Sequence, residues 1–508
     1  MRIFENKAIA LRLRNPEKVT SIIPKSKKID DNEVLVNWGV DEAKALRNMN
    51  IKAPSPIEGR YKWSGKYEPF DHQKKTAGFL TMNKRAFCFN EQGTGKTASA
   101  IWATDYLMKE GKINRVLVIC PLSIMDSAWR ADLFTFAMHR TVDVAYGTKD
   151  KRKKIIEGGA EYVIINYDGV EIVQDAIAKG GFDCIIIDEA THYKNVQTKR
   201  WKTLNKLLKP DTWLWLMTGT PAAQSPLDAY GIAKLVNPKA VPKFFSTFRD
   251  QVMVRITQFK WVPKEHATDI VFNALQPAIR FTKDECLDLP PMVYTKREVE
   301  LTRQQTKYYK QLRDKMIMHA AGEEVTAPNA AVAMSKLLQI SCGAIYTDGG
   351  DALEFDITHR YKVLREVIDE ASIVFVPFKH VIDVLTDKLR SDGITTEIIR
   401  GDVSAPKRTE IFKRFQETDD PKVLVVQPQS ASHGVTLTAA NTVVWWGPTS
   451  SLETYAQANA RVHRSGQTHK CTVVQLQSSY VEKRVYALLD NRINVHTKMI
   501  DLYNEIVD

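Results

Sequence analysis

Cysteine is scarce: six residues in 508 (Cys88, Cys120, Cys184, Cys286, Cys342 and Cys471), each isolated, with no CxxC pair and no neighbouring histidine cluster. That scatter excludes a disulfide framework and offers no zinc-ligand spacing, so all six read as reduced, mostly buried thiols. Long apolar runs are missing as well. No stretch approaches the ~18 consecutive apolar residues that a membrane-spanning helix requires. Glu5, Arg12 and Arg14 stand where a signal peptide carries its apolar region, and the expectation is a cytoplasmic protein without a membrane partner.

What is present is 44% hydrophobic and 26% charged residues, with 72 Lys+Arg against 60 Asp+Glu, a formal net charge of +12. At roughly 100–200 residues per domain the length implies about three domains, each with its own core. The positive surplus permits attraction to polyanions without demanding it. Its densest run, KDKRKK at 149–154, reads as a solvated loop.

Residues 1–60 hold two short alternating stretches (8–13 and 33–38), a helix over 40–48 and the turn-rich APSPIEG, and read as a small accessory module. Continuous apolar runs separated by helical segments follow: RAFCFN, VLVICP, EYVIINY, CIIIDE and TWLWLMTG, and later SIVFVPF, TTEIIRG, KVLVVQP, TVVWWGP and CTVVQL. Such runs are buried parallel strands, so the fold class is α/β with two lobes of similar design. The expected lobes are 61–237 and 354–508, joined by a helical connector at 238–353 with helices over 302–321 and 330–342.

Two motifs carry chemistry. After RAFCFN comes EQGTGKT and then a helical segment, the order of a phosphate-binding loop. Gly93 and Gly95, flanking Thr94, let backbone N–H groups approach phosphates; Lys96 reaches the outer phosphate oxygens; the Thr97 hydroxyl suits Mg²⁺. Asn90 takes the place of the first glycine of the usual pattern, and an ordinary glycine turn with a solvated lysine is the alternative. The second motif is CIIIDEATHYKN. Asp188 and Glu189 end a strand where ligands of open α/β sheets sit, Asp188 suited to Mg²⁺ and Glu189 to taking a proton from an attacking water.

With these in place, the chain resembles superfamily 2 nucleic-acid motors, and most closely the Swi/Snf-type (HepA-related) double-stranded DNA translocases, over roughly residues 65–505. FDHQKKTAGFL resembles the segment whose glutamine, here Gln73, recognises adenine. NEQGTGKT resembles motif I, VLVICPLSIMDSAW motif Ia, DEATHYKN motif II and LMTGTPAAQSPLDAYGIAKLVNP motif III. IRFTKDECLDLPP resembles the stretch linking the lobes, and IVFVPFKHVIDVL motif IV. QSASHGVTLTAANTVVWWGPTSSLETYAQANARVHRSGQT resembles motifs V and VI and is the most specific match.

The resemblance implies two RecA-like lobes, ATP and Mg²⁺ as cofactors, and Gln457, Arg461 and Arg464 facing the triphosphate from the second lobe. Arginine fingers of this kind are worth roughly a thousandfold or more in rate. Motif II reads DEAT, with Thr191 where the family usually has histidine, and His192 follows; His463 matches a family histidine whose role is equally well structural. Insertions are short and no bromodomain-like, chromodomain-like or zinc-finger segment exists, which favours a minimal phage or bacterial form.

DNA contacts are expected from strand-end loops, residues 121–123, 166–168, 218–221, 401–402 and 429–438, and among them Pro121, Ser123, Thr218, Thr220, Gln429 and Thr436. Backbone amides and small hydroxyls there suit phosphates rather than bases. Trp63, Trp129, Trp445 and Trp446 read as core residues rather than stacking platforms. The expectation is thus a monomeric, ATP-dependent translocase on duplex or branched DNA, working beside replication or transcription proteins. The alternatives are a strand-separating helicase or restriction-type motor, and, in another class, a nucleotide-gated DNA clamp or polymerase-associated factor.

Overall fold

The structure, a computed structural model, describes every residue except 66, 220, 222–224, 258–260, 287–288, 323–326, 347–351, 369–370, 432–434, 465, 492–504 and 506–508. The chain forms two compact units, residues 1–286 and 287–508.

The first unit opens with a small antiparallel sheet of β1 (Arg2–Phe4), β2 (Ala8–Arg12), β3 (Ser26–Lys28) and β4 (Glu33–Asn37), in the order β1-β2-β4-β3. Alternation along β2 and β4 sends Ile9, Leu11, Val34 and Val36 to one face, where they pack with Trp38 and with Ala43 and Leu46 of the helix Val40–Asn48. Met82 joins the same core from the helix Asp71–Met82 that leads to the main sheet.

That sheet is wholly parallel. It contains β5 (Arg85–Cys88), β6 (Val116–Cys120), β7 (Val142–Val144), β8 (Tyr162–Asn166), β9 (Cys184–Asp188) and β10 (Trp213–Met217). Beyond them lie a two-stranded hairpin of β11 (Met253–Arg255) and β12 (Trp261–Pro263), and then β13 (Ala278–Ile279). The order is β13-β5-β10-β9-β6-β8-β7. All five expected apolar runs are strands here. The two unexpected members, β7 and β13, are the sheet's edges; three and two residues long and half exposed, they show no continuous apolar run to read.

KDKRKK is helical, not a loop. Thr148 caps the helix Lys149–Glu157 by accepting from the Lys151 N–H, and Arg152 turns inward to donate to the Ala145 carbonyl and the Asn166 side chain, each at 2.8 Å.

The second unit is built on a parallel sheet of β14 (Met292–Glu298), β17 (Ser372–Phe375), β18 (Thr396–Ile399), β19 (Val423–Val426), β20 (Thr442–Trp445) and β21 (Cys471–Gln477), in the order β14-β21-β20-β17-β19-β18. A hairpin, β15 (Ala344–Tyr346) with β16 (Ala352–Glu354), stands apart. The five later apolar runs are all in the main sheet. Its unexpected edge strand β14 has the polar sequence MVYTKRE and pairs with β21 over seven residues. The expected connector helices are the helices Arg303–Gly322 and Ala327–Cys342.

Trp129, Trp445 and Trp446 are fully buried, the last two donating to Asn459 Oδ1 at 2.9 Å and the Cys342 carbonyl at 2.8 Å; Trp63 is half-buried on the rings of Tyr61 and Trp102. Five cysteines are buried and Cys286 is half-buried. No described helix is long and apolar enough to cross a membrane.

Asp105, on the helix Lys96–Lys109, has a fully buried carboxylate that accepts from the Tyr61 hydroxyl (2.6 Å), Arg140 Nε (2.7 Å), Lys109 Nζ (2.8 Å) and His139 Nε2 (2.9 Å). Burial alone pushes its pKa up, but the donors from Lys109, Tyr61, Arg140 and His139 outweigh it and hold the pKa at about 2. A folded-state pKa below the unfolded value contributes stability that is present above about pH 4 and is lost as the pH falls toward 2, on the order of 2 kcal/mol in all. Asp105→Asn is expected to lose that amount at neutral pH and to flatten the fall between pH 4 and 2, read from urea midpoints at each pH; an unchanged acid limb would contradict the assignment.

Candidate active site at the strand ends of the first unit

Because every strand of a parallel sheet runs the same way, the segments after β5, β6, β8, β9 and β10 emerge along one edge, and each carries part of the site. After β5 the loop turns through Gly93 (φ 86°) and Gly95 (φ 80°) into the helix Lys96–Lys109. Gly95 is required twice over: its backbone is left-handed, and a Cβ there would lie 2.0 Å from Gln73 Nε2. The helix presents the unsatisfied N–H groups of its first turn beside the loop, an anion site by construction. Lys96 Nζ donates to the carbonyls of Asn90 (2.9 Å) and Glu91 (3.2 Å), and Thr97 follows in the first helical turn.

Gln73 stands against this loop. Its Oε1 accepts from the Phe70 N–H at 3.0 Å, capping the helix Asp71–Met82, and its Nε2 donates to the Thr94 carbonyl at 3.3 Å. His72, which sequence reasoning did not single out, donates from Nε2 to the same carbonyl at 2.8 Å. The departure at Asn90 has a structural reason. Its fully buried side chain donates to Thr76 Oγ1 (2.8 Å) and accepts from the Phe281 N–H (3.0 Å), tying the helix Asp71–Met82 and the segment after β13 to the loop.

The acidic pair closes β9. Asp188 is 8% exposed; its Oδ2 accepts from Trp129 Nε1 at 2.9 Å, its Oδ1 from the Glu189 N–H at 3.1 Å, and its carbonyl from the Tyr167 hydroxyl at 2.6 Å. Glu189 sits in the left-handed region (φ 49°, ψ 59°), unusual for this residue type. Its Oε2 accepts from Thr218 Oγ1 at 3.5 Å, the outer limit of a hydrogen bond. β9's neighbours β6 and β10, and β8 beyond β6, are thus each followed by a donor to this dipeptide. Burial pushes the Tyr167 phenol and the Cys120 thiol well up, and the charge on Asp188 adds to both shifts. Thr191 is half-buried in the 3₁₀ turn Ala190–Tyr193, and His192 is exposed with its ring 4.5 Å from that of Tyr167.

Carboxylate and hydroxyl oxygens are the hard donors a divalent cation such as Mg²⁺ takes, and both Asp188 oxygens keep lone pairs beyond the bonds just described. Asp188 and Thr97 therefore fit such an ion chemically. Of the strand-end loops, Pro121 is buried and Ser123 exposed after β6, Asp168 is exposed after β8, and Thr218 is buried after β10; Thr220 lies outside the described residues.

In the second unit, Gln457 is buried on the helix Leu452–Asn459 and donates to Glu453 Oε1 at 3.2 Å. Arg461 follows that helix and is 5% exposed. Arg464 Nη1 donates to the Val435 carbonyl (3.0 Å) and Thr436 Oγ1 (3.2 Å), so motifs V and VI meet at this point. His463 donates to the Pro290 carbonyl at 2.8 Å, the structural role that sequence left open. Gln467, not singled out before, donates to the carbonyls of Ala440 (2.9 Å) and Thr438 (3.2 Å). Gln429 and Thr436 are exposed.

The chain matches the family model described as the SNF2-related domain over residues 72–343 and the helicase conserved C-terminal domain over residues 358–466. It is 26% identical to an uncharacterized ATP-dependent helicase of Mycoplasma genitalium across 78% of this chain and 38% of the relative. It is also 26% identical to the SWI/SNF-related matrix-associated actin-dependent regulator of chromatin subfamily A-like protein 1 of Xenopus tropicalis, across 78% of this chain and 41% of the relative. The chain spans less than half the length of these curated relatives. Among solved structures, the Sulfolobus solfataricus SWI2/SNF2 ATPase core in complex with dsDNA aligns at 23% identity and a TM-score of 0.43, over 84% of this chain and 92% of that one.

Asn90→Gly, which restores the commoner loop sequence, is expected to destabilise the protein by about 1–3 kcal/mol, because it removes two bonds of a buried side chain and leaves their partners unsatisfied. Thermal unfolding tests this; an unchanged or raised midpoint would show that the asparagine is a neutral replacement.

Proposed function

This chain belongs to the SNF2-related family, a family of two RecA-like lobes, and we propose that it is an ATP-dependent motor that translocates along duplex DNA. The observation that carries this reading is the convergence at one sheet edge of a phosphate-binding loop, a gripped Asp-Glu pair, and the loops whose amides and hydroxyls suit a phosphate backbone.

In this reading Gln73 selects adenine, and the N–H groups around Gly93, Thr94 and Gly95 receive the phosphates. Lys96 exchanges the Asn90 and Glu91 carbonyls for phosphate oxygens, a stronger, charge-assisted partner. Thr97 and Asp188 hold Mg²⁺, which supplies electrostatic stabilisation of the charge developing on the phosphoryl group. Glu189 orients the attacking water and takes its proton. Gln457, Arg461 and Arg464 carry the roles that motif VI implies toward the triphosphate.

Pro121, Ser123, Thr218, Thr220, Gln429 and Thr436 belong to the DNA track. Binding to phosphates rather than bases makes affinity fall steeply with salt and leaves sequence preference small. Movement then follows from differential affinity for DNA between nucleotide states.

Turnover measured without DNA, with single strands and with duplex tests the proposal. Duplex is expected to stimulate most, and stimulation by single strands alone would favour a strand-separating motor. Lys96→Ala is expected to abolish turnover with the fold intact. Glu189→Gln should still bind ATP yet hydrolyse it about 10²–10⁴-fold more slowly; loss of nucleotide binding equal to that of the lysine variant would contradict its role as base.

A further inference from the structure

Among the described residues the Asp188 carboxylate has one side-chain donor, and its chemistry suits a cation site; none of the sequence motifs assigns it a role. Trp129 is fully buried, and its indole N–H points at Asp188 Oδ2 at 2.9 Å. An indole N–H donates and never accepts, and at a fully buried side chain no solvent competes for the bond. It fixes the carboxylate rotamer, yet brings no positive charge. A lysine or arginine in this place would neutralise Asp188 and compete with a cation; a neutral donor leaves the whole negative charge available.

The backbone around Trp129 is also unusual. Met125–Arg130 forms a π-helical turn between the 3₁₀ turn Leu122–Ile124 and the helix Ala131–Phe136. Such turns are rare and recur at functional sites, since the extra residue re-aims the side chains that follow. Here the turn is anchored by buried Ile124 and Met125, and Trp129 comes to lie against the end of β9. From the opposite side Tyr167 holds the Asp188 carbonyl at 2.6 Å, so backbone and carboxylate are fixed independently.

We infer that Trp129 is a positioning residue that orients the Asp188 carboxylate for a divalent cation. This rests on the reading of Asp188 as the metal-binding carboxylate. Partners that hold a metal ligand in place typically contribute about 10- to 100-fold in metal affinity.

The test uses the full chain and a fluorescent ADP, titrating Mg²⁺ to find the concentration that gives half of its enhancement of nucleotide affinity, with no turnover involved. Trp129→Phe keeps a buried ring and removes the N–H; it is expected to raise that concentration about 10- to 100-fold while metal-free nucleotide affinity stays the same. Should the phenylalanine variant fail to fold, benzothienylalanine at position 129, which carries sulfur in place of the N–H, gives the same readout. Asp188→Asn is run beside it. If the asparagine variant loses the enhancement and the Trp129 variants keep the wild-type concentration, the positioning role is overturned and the metal reading stands. If Asp188→Asn itself keeps the enhancement, the metal reading falls and the role of Trp129 falls with it.

Discussion

Two adjacent carboxylates at the end of a fully buried strand are the constraint on which the first unit is organised. Asp188 closes β9, whose five residues are all buried, so its charge is kept from most of the solvent and has to be met by the protein. Among the described residues the carboxylate is met by two neutral donors, the Trp129 indole and the Glu189 N–H, while the Tyr167 phenol fixes the Asp188 carbonyl and the Thr218 hydroxyl reaches Glu189. A salt bridge would quench Asp188; neutral donors hold its geometry without doing so. The positive groups that complete a phosphate site lie instead on the glycine loop, where Lys96 rests on backbone carbonyls it can leave without stranding a buried carboxylate. That division of charge separates the site from a structural cluster such as that of Asp105, where Lys109 and Arg140 share the carboxylate outright.

Sequence disclosed the parts of this arrangement that depend on burial. The ten apolar runs are ten strands, nine of them mostly buried because a strand covered on both faces has no room for polar residues; the tenth, β18, is an edge with Glu397 and Ile398 half-exposed. The edges β7, β13 and β14 escaped because they are short or polar and are defined by their partners, whereas the edge β18 keeps enough apolar residues to be read. KDKRKK misled for a related reason: six charged residues read as solvated, while the inward turn of Arg152 depends on the Ala145 carbonyl and the Asn166 side chain, which lie outside the run.

At the site, the residues proposed to touch ligand were legible and the residues that hold them were not. Lys96, Asp188 and Glu189 announce themselves through short local motifs. Trp129, Tyr167 and His72 act on residues 59, 21 and 22 positions away, a relation that no local pattern encodes. Asn90 is the instructive case, since it looks like a defect in a glycine motif and is instead a buried clamp on Thr76 and Phe281. In the second unit Gln467 and His463 play a similar supporting part around the motif arginines.

A motor that tracks an intact duplex and a helicase that parts its strands would share the proposed ATP site, so chemistry alone does not separate them; what each does to DNA does. The most direct measurement is displacement of a third strand from a triplex, run beside unwinding of a forked duplex, with wild-type protein and ATP. The account predicts release of the third strand at a rate set by ATP concentration, with little unwinding of the fork. Efficient unwinding of the fork without triplex displacement would contradict it.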